Sequence, residues 1–320
     1  MNNHAPDIAI IGAGAWGTAL AILFASNGKP VTLWARNPDL AACLATTRAN
    51  PRLPGIALPE ALAITSGDIP AAAITLLATP MQALRATASL IPPAGALVLC
   101  CKGVEADTHL LPPELFPNQP AAMLTGPNFA HEIAALLPAA AVLATPDPDL
   151  RAGLIAALAT PSFRLYGSAD IIGAALGGAA KNVIAIAAGV VIGAGLGENA
   201  RAALITRGIA EIARLAARLG GRAETISGLS GLGDLLLTCT GPSSRNFSLG
   251  LALGRGQSLP AILQSRASVT EGIATAPALH ARALAVGVEV PITAAVTKLL
   301  GHEITIAETI RTLMQRALKD

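Results

Sequence analysis

The chain has 320 residues, is 52% hydrophobic but only 2% aromatic, and carries a formal net charge of +2. That length supports two domains with a sizeable core. The small charge and the scarcity of aromatics among scattered basic residues exclude a nucleic-acid stacking platform or a basic membrane-binding face. In chain order, Ile8–Ile11, Val31–Trp34, Ile74–Ala78, Leu97–Cys101, Met123–Thr125 and Ala141–Ala144 are predicted strands. Several are apolar throughout, as strands of a parallel sheet covered on both faces must be. Helical or loop segments separate them, which predicts an open α/β sheet.

After about Asp170 the pattern becomes helical. Ile205, Ile209, Ile212, Ala216 and Leu219 form one apolar stripe, with Arg201, Arg207, Glu211, Arg214 and Arg218 expected on a solvated face. A last helix is predicted over Ile306–Leu318. The uncharged run Ile8–Ser26 lacks a preceding Lys or Arg and holds closely spaced glycines, unlike a signal segment. Val183–Gly197 is too short and too glycine-rich to span a bilayer. The four cysteines lack C-x-x-C spacing and the five histidines are dispersed, so no metal site is expected. Reduced core thiols, Cys100 and Cys101 among them, favour a cytoplasmic setting.

The first strand runs into Gly12-x-Gly14-x-x-Gly17 and then an Ala/Leu helix. In that setting the first glycine permits a tight turn, the second admits a pyrophosphate, and the third lets helix pack on sheet. The free N–H groups of the helix N-terminus then face the phosphates. A ligand-free glycine turn would read alike without the strand and helix around it. The fold class is thus an α/β N-terminal Rossmann-like dinucleotide-binding domain, residues 1–172, followed by an all-α C-terminal substrate domain, residues 173–320. NAD-preferring sites usually end the second strand with an acid. Here "PVTLWARNP" offers no acid before Asp39, and Arg36 stands near the expected place. A guanidinium there pairs with a 2′-phosphate, and Trp34 or Arg36 is placed to lie against adenine, so NADP is expected to be preferred over NAD.

"LGGAAKNVIAIAAG" holds Lys181, the one charged residue between Ile171 and Gly197. A lysine can snorkel from such a segment. The small neighbours and Asn182 instead suggest a sheltered ammonium, whose pKa falls on desolvation toward that of a proton carrier. "ALVLCCKGVE" puts Lys102 at a strand's carboxyl end, where ligands of open α/β sheets bind. A second cation would depress Lys181 further and could polarise a substrate oxygen. Gly126-Pro127-Asn128 closes the next strand as a turn. In "SGLSGLGDLLLTCTGPSSRN", Asp234 follows Gly233, and Ser244-Arg245-Asn246 supplies a hydroxyl, a guanidinium and an amide suited to a phosphate. No nucleophile elbow, H-E-x-x-H or P-loop is present.

With "GAGAWGTALA", "CCKGVE", "GPNFAHE", "LGGAAKNVIAIAAG", "GLGENARAALITRG", "SGLSGLGDLLLTCTGPSSRN" and "VTEGIATA" in this order, the chain resembles the bacterial NAD(P)-dependent glycerol-3-phosphate dehydrogenase family along nearly its whole length. The resemblance implies interconversion of dihydroxyacetone phosphate and sn-glycerol 3-phosphate, with the product feeding phospholipid synthesis. It implies Lys181 as proton acceptor and Lys102 contacting substrate and cofactor. Asp234, Ser244, Arg245 and Asn246 would hold the substrate, with Arg245 also near the cofactor; Gly126 and Asn128 would line the substrate side. Gly12, Gly14, Ala15, Trp16, Gly17, Arg36, Ala130, Val269 and Glu271 would contact the dinucleotide. Two positions depart from the pattern: Asn128 stands where a small hydroxyl residue is expected, and Ala15 where Ser is common. The partners expected are a small phosphorylated substrate and a second copy in a homodimer, with no nucleic acid and no stable membrane insertion. A β-hydroxyacid or ketopantoate-type reductase would share the Lys-Asn pair, but Ser244-Arg245-Asn246 favours a phosphorylated substrate. A non-catalytic dinucleotide sensor would need neither lysine.

Replacing Arg36 by Ala is expected to erase the preference for NADP. Comparing kcat/KM with the two cofactors checks this; unchanged discrimination defeats it.

Overall fold

The computed structural model describes residues 7–93, 95–266 and 269–314. They divide into two compact units. One comprises the described residues up to Cys101 together with Pro112–Ile171; the other comprises Lys102–Leu111 and the described residues from Ile172 onward.

The first unit is built on eight strands: β1 Ile8–Ile11, β2 Val31–Trp34, β3 Ala63–Thr65, β4 Ile74–Leu77, β5 Ala96–Leu99, β6 Ala121–Thr125, β7 Ala139–Ala144 and β8 Phe163–Ser168. Its helices are α1 Ala15–Ser26, α2 Pro38–Thr47, α3 Leu84–Ala88, α4 Ala130–Ala134 and α5 Pro148–Leu158. The strand order is β3-β2-β1-β4-β5-β6-β7-β8. Ile8 pairs with both Val31 and Ile74, so Ile11, Trp34 and Leu77 end at one edge of the sheet. The chain reverses its direction of travel across the sheet between β1 and β4, which is where such folds bind ligands. The core runs through Ile10, Leu33, Leu76 and Val98, and α1 is buried from Gly17 to Ala25.

The sheet differs from expectation in three ways. β3 is a short, partly exposed edge strand with no clear alternation. β8 carries Arg164 and has only its Phe163 and Leu165 buried, so it lacks the apolar run of an inner strand. β7 pairs antiparallel with β6, interrupting an otherwise parallel sheet. The short α4 turns the chain back without the long crossover that a parallel return requires.

The second unit contains α6 Ile171–Gly193, α7 Gly197–Arg218, α8 Ala223–Ser227, α9 Asp234–Cys239, α10 Arg245–Gly254, α11 Leu259–Gln264, α12 Gly272–Ala285, α13 Pro291–Leu300 and α14 Ile306–Met314. A π-turn, Leu229–Gly233, leads into α9. Residues 315–318 of the expected last helix lie outside the described residues. α6 starts well before Val183, so its 23 residues are long and apolar enough to cross a membrane. Instead 94% of its most apolar window is buried, as in a core helix.

Glycines set how closely α10 approaches α6. A Cβ on Gly189 or Gly193 would overlap the carbonyls of Phe247 or Leu251, and one on Gly250 or Gly254 would overlap those of Ile186 or Val190. The two four-residue glycine spacings therefore interlock and permit backbone contact. They also fix the N-terminal turn of α10 beside α6.

On α7, Ile205, Ile212 and Ala216 are buried, while Ile209 and Leu219 are half-buried. Glu211, expected on the solvated face, is 1% exposed. Its carboxylate accepts hydrogen bonds from Ile292 N (2.8 Å), Thr293 N (3.0 Å) and Thr293 Oγ1 (2.7 Å). It thus supplies the cap that the N-terminus of α13 lacks locally. Burial raises its pKa, and the three donors oppose that shift. Charge alone sent Glu211 outward in the sequence; its partners are 81 and 82 residues away.

Glu211→Ala leaves these donors buried and unpaired, so stability should fall by roughly 1–3 kcal/mol. A urea midpoint unchanged from wild type would refute this capping role.

Candidate active site

In the sheet unit the glycine loop sits at the carboxyl end of β1. Gly12 adopts φ +116°, and a Cβ there would come within 2.8 Å of Ala78 O. Its N–H bonds Trp34 O at 3.0 Å, tying the turn to β2. Gly17 faces the Gly12 carbonyl too closely to admit a side chain. Gly14 is the N-cap of α1, with open space where a Cβ would project. No side chain caps α1 and no acid occupies its first turn, where Ala15 and Trp16 stand. Its leading N–H groups are therefore disposed to receive an anion. Trp16 Nε1 is buried without a protein partner among the described residues. These features fit a dinucleotide pyrophosphate.

Arg36 is exposed just past β2. Trp34, the other candidate for the adenine face, is buried, and its Nε1 bonds Gly67 O at 2.9 Å. It belongs to the core. Gly126 has φ +145°, and a Cβ there would lie 3.0 Å from Ala141 Cα, so close packing against β7 explains the glycine. Asn128 is half-buried with its Oδ1 unpartnered among the described residues; Ala130 opens α4.

In the helical unit, α6 carries Lys181 and α9 begins with Asp234. Gly177 on α6 lets the Ser230 backbone come close, since a Cβ would meet Ser230 O at 2.6 Å. That contact seats the π-turn and hence Asp234. Lys181 Nζ donates to Asp234 Oδ1 at 2.5 Å and to Thr238 Oγ1 at 3.1 Å. Lys102 Nζ donates to the other oxygen, Asp234 Oδ2, at 2.6 Å. Both oxygens of the carboxylate expected on the substrate are therefore engaged by lysines, and the Asp234 side chain is 1% exposed. With both amines protonated the cluster carries one net positive charge.

Burial lowers the Lys181 pKa to about 8; Asp234 opposes the shift, and Lys102 adds to it. The nearby Cys239 thiol is pushed up to about 12 by burial and stays neutral.

Asn182, next to Lys181, donates from Nδ2 to Lys102 O at 3.0 Å, and its Oδ1 accepts from Asn246 Nδ2 at 2.8 Å. Asn246 Oδ1 in turn accepts from Gly272 N at 3.0 Å. Ser244 caps α10, accepting from Phe247 N at 3.2 Å. Arg245 is exposed and donates to Val269 O at 2.7 Å; Glu271 immediately precedes α12. The structure thus joins Lys102, Lys181, Asp234 and Asn246 in one network and places Arg245 beside Val269. Asn182 and Thr238 are links the sequence analysis did not place in the site; the Lys-Asn adjacency was the signal for the first. Gly12, Gly14, Ala15, Trp16, Gly17, Arg36, Gly126, Asn128 and Ala130 all lie in the sheet unit.

A family model described as NAD-dependent glycerol-3-phosphate dehydrogenase N-terminus matches residues 7–151, and one described as the C-terminus matches residues 170–311. The chain is 61% identical over 325 residues to glycerol-3-phosphate dehydrogenase (NAD(P)+) of Acidiphilium cryptum strain JF-5, covering 100% of this chain and 99% of that one. It is 54% identical over 320 residues to the same-named protein of Gluconobacter oxydans strain 621H, covering 97% of each. A crystal structure of glycerol-3-phosphate dehydrogenase from Coxiella burnetii superposes with a TM-score of 0.92 at 36% identity, covering 98% of this chain and 99% of that one. The chain belongs to the NAD-dependent glycerol-3-phosphate dehydrogenase family.

Proposed function

We propose that this protein interconverts dihydroxyacetone phosphate and sn-glycerol 3-phosphate with NADP(H) or NAD(H), NADP being preferred, and so supplies glycerol 3-phosphate for phospholipid synthesis. Residues 1–172 serve to bind the dinucleotide and residues 173–320 to bind the substrate. One observation carries the reading: a buried carboxylate holds two ammonium groups, one of them with its pKa lowered to about 8. A non-catalytic sensor has no use for that arrangement.

Lys181 is the proton carrier at the substrate C2 oxygen. Asp234 and Thr238 aim its Nζ, and the lowered pKa makes both protonation states accessible near neutral pH. The Lys102 ammonium stabilises negative charge developing on that oxygen. Ser244, Arg245 and Asn246, at the N-terminal turn of α10, bind the phosphate, where a guanidinium and a helix N-terminus both favour an anion. Gly126 and Asn128 line the substrate side. Gly12, Gly14, Ala15, Trp16, Gly17, Arg36, Ala130, Val269 and Glu271 serve the dinucleotide, with Lys102 and Arg245 touching both ligands. When bound, the nicotinamide exchanges a hydride with substrate C2. A cytoplasmic homodimer belongs to the same reading; the buried cysteines Cys100, Cys101 and Cys239, none of them in a disulfide, support the compartment, and sedimentation checks the assembly.

The direct test is oxidation of NADPH in the presence of dihydroxyacetone phosphate. Lys181→Ala should reduce kcat by about 10²–10⁴-fold with NADPH affinity kept, because general acid–base help is lost. Near-normal turnover in that variant rules out the assignment.

The pH dependence should differ between directions. Alcohol oxidation needs the neutral amine, so its rate should rise through about pH 8. Ketone reduction needs the ammonium, so its rate should fall as pH climbs through the same value. Parallel profiles for the two directions would contradict Lys181 as the proton carrier.

A further inference from the structure

Asn50 is a fully buried amide on the connection between α2 and β3, with 2% of its surface exposed. Its Nδ2 donates to Ala13 O at 3.2 Å and to Thr18 Oγ1 at 2.7 Å. Its Oδ1 accepts from Arg52 N at 3.0 Å. The surrounding loop is built to hold it. Ala49 and Ala57 form an isolated bridge, Leu53 N bonds Asn50 O at 2.8 Å, and Arg48 reaches Leu62 O at 2.8 Å. Ala13 is the middle residue of the glycine turn, and Thr18 lies in the following turn of α1, 0% exposed.

A trans peptide points its C=O and its N–H in opposite directions. An amide that draws the Ala13 carbonyl inward therefore turns the Gly14 N–H outward. Gly14 also has open space where a Cβ would project, so no protein side chain or backbone crowds the turn there. A carbonyl left free to rotate could instead aim its partial negative charge at a phosphate.

We propose that Asn50 is a positioning residue for the dinucleotide loop: it locks the Ala13–Gly14 peptide in the orientation that offers N–H, not C=O, to the cofactor pyrophosphate. The proposal rests on the dinucleotide reading of the glycine turn. Asn50 does not touch the cofactor; it acts through Ala13 and Thr18.

The test compares NADPH affinity, by fluorescence titration, for wild type, Asn50→Ala and Asn50→Asp, with Tm recorded for each. Asn50→Ala should weaken NADPH binding about tenfold, the order of one hydrogen bond, because the released peptide must be reoriented on binding. Asn50→Asp, which cannot donate and adds negative charge, should weaken it at least as much. KM for NADPH should rise in step, while kcat and KM for dihydroxyacetone phosphate hold. ADP-ribose should lose affinity as NADPH does, and adenosine, which lacks the pyrophosphate, should not. Should the variants fail to fold, NMR of the wild type still decides. The Asn50 side-chain amide protons should exchange slowly with and without ADP-ribose, and the Gly14 amide should shift on its addition. Wild-type affinity in both variants, equal losses for adenosine and ADP-ribose, or fast exchange of the Asn50 amide overturns this inference while the cofactor reading stands. A wild type that binds no NADPH overturns both.

Discussion

One carboxylate organises the helical unit. Asp234 gives one oxygen to Lys102 and the other to Lys181, in a place almost closed to water. Two ammonium groups, Lys181 buried and Lys102 partly so, would without a counter-charge repel each other and both lose hydration. A single carboxylate between them removes most of that cost while leaving the cluster net positive. Breaking a buried pair of this kind typically costs about 3–5 kcal/mol. The same balance sets the chemistry. Burial pulls the Lys181 pKa down, Asp234 holds it from falling further, and the result is an amine that can change protonation state near neutrality.

That cluster depends on close backbone packing around it. Gly177 brings the π-turn against α6 and so delivers Asp234 to Lys181. The interlocking glycines of α6 and α10 hold Ser244, Arg245 and Asn246 next to the same helix. Asn182 and Asn246 then carry hydrogen bonding from the Lys102 backbone to the start of α12.

Much of this was legible in the residues themselves. The glycine spacing after β1 has its strand and helix, because a tight turn beside a phosphate leaves little other choice of residue. The isolation of Lys181 in an apolar segment correctly marked a buried amine. What stayed hidden were long-range polar contacts. Glu211 reads as part of a charged helix face, yet it caps a helix distant in sequence. Asn50 sits in what looks like an ordinary Asn-Pro turn, and nothing local reveals its bond to Ala13. Trp34 is one of two candidates for the adenine face, because a ring at a strand end can stack; its bond to Gly67 assigns it to the core. β8 escaped notice because an edge strand keeps polar residues on its exposed face.

The short stretch Lys102–Leu111 groups with the helices although sheet residues flank it in the chain on both sides. Severing the polypeptide near residue 172 would therefore not yield two self-sufficient modules. The downstream piece would keep Asp234 and Lys181 but lose Lys102, along with the carbonyl that Asn182 grips. Recombination that swapped cofactor halves between relatives would import a foreign Lys102 segment each time.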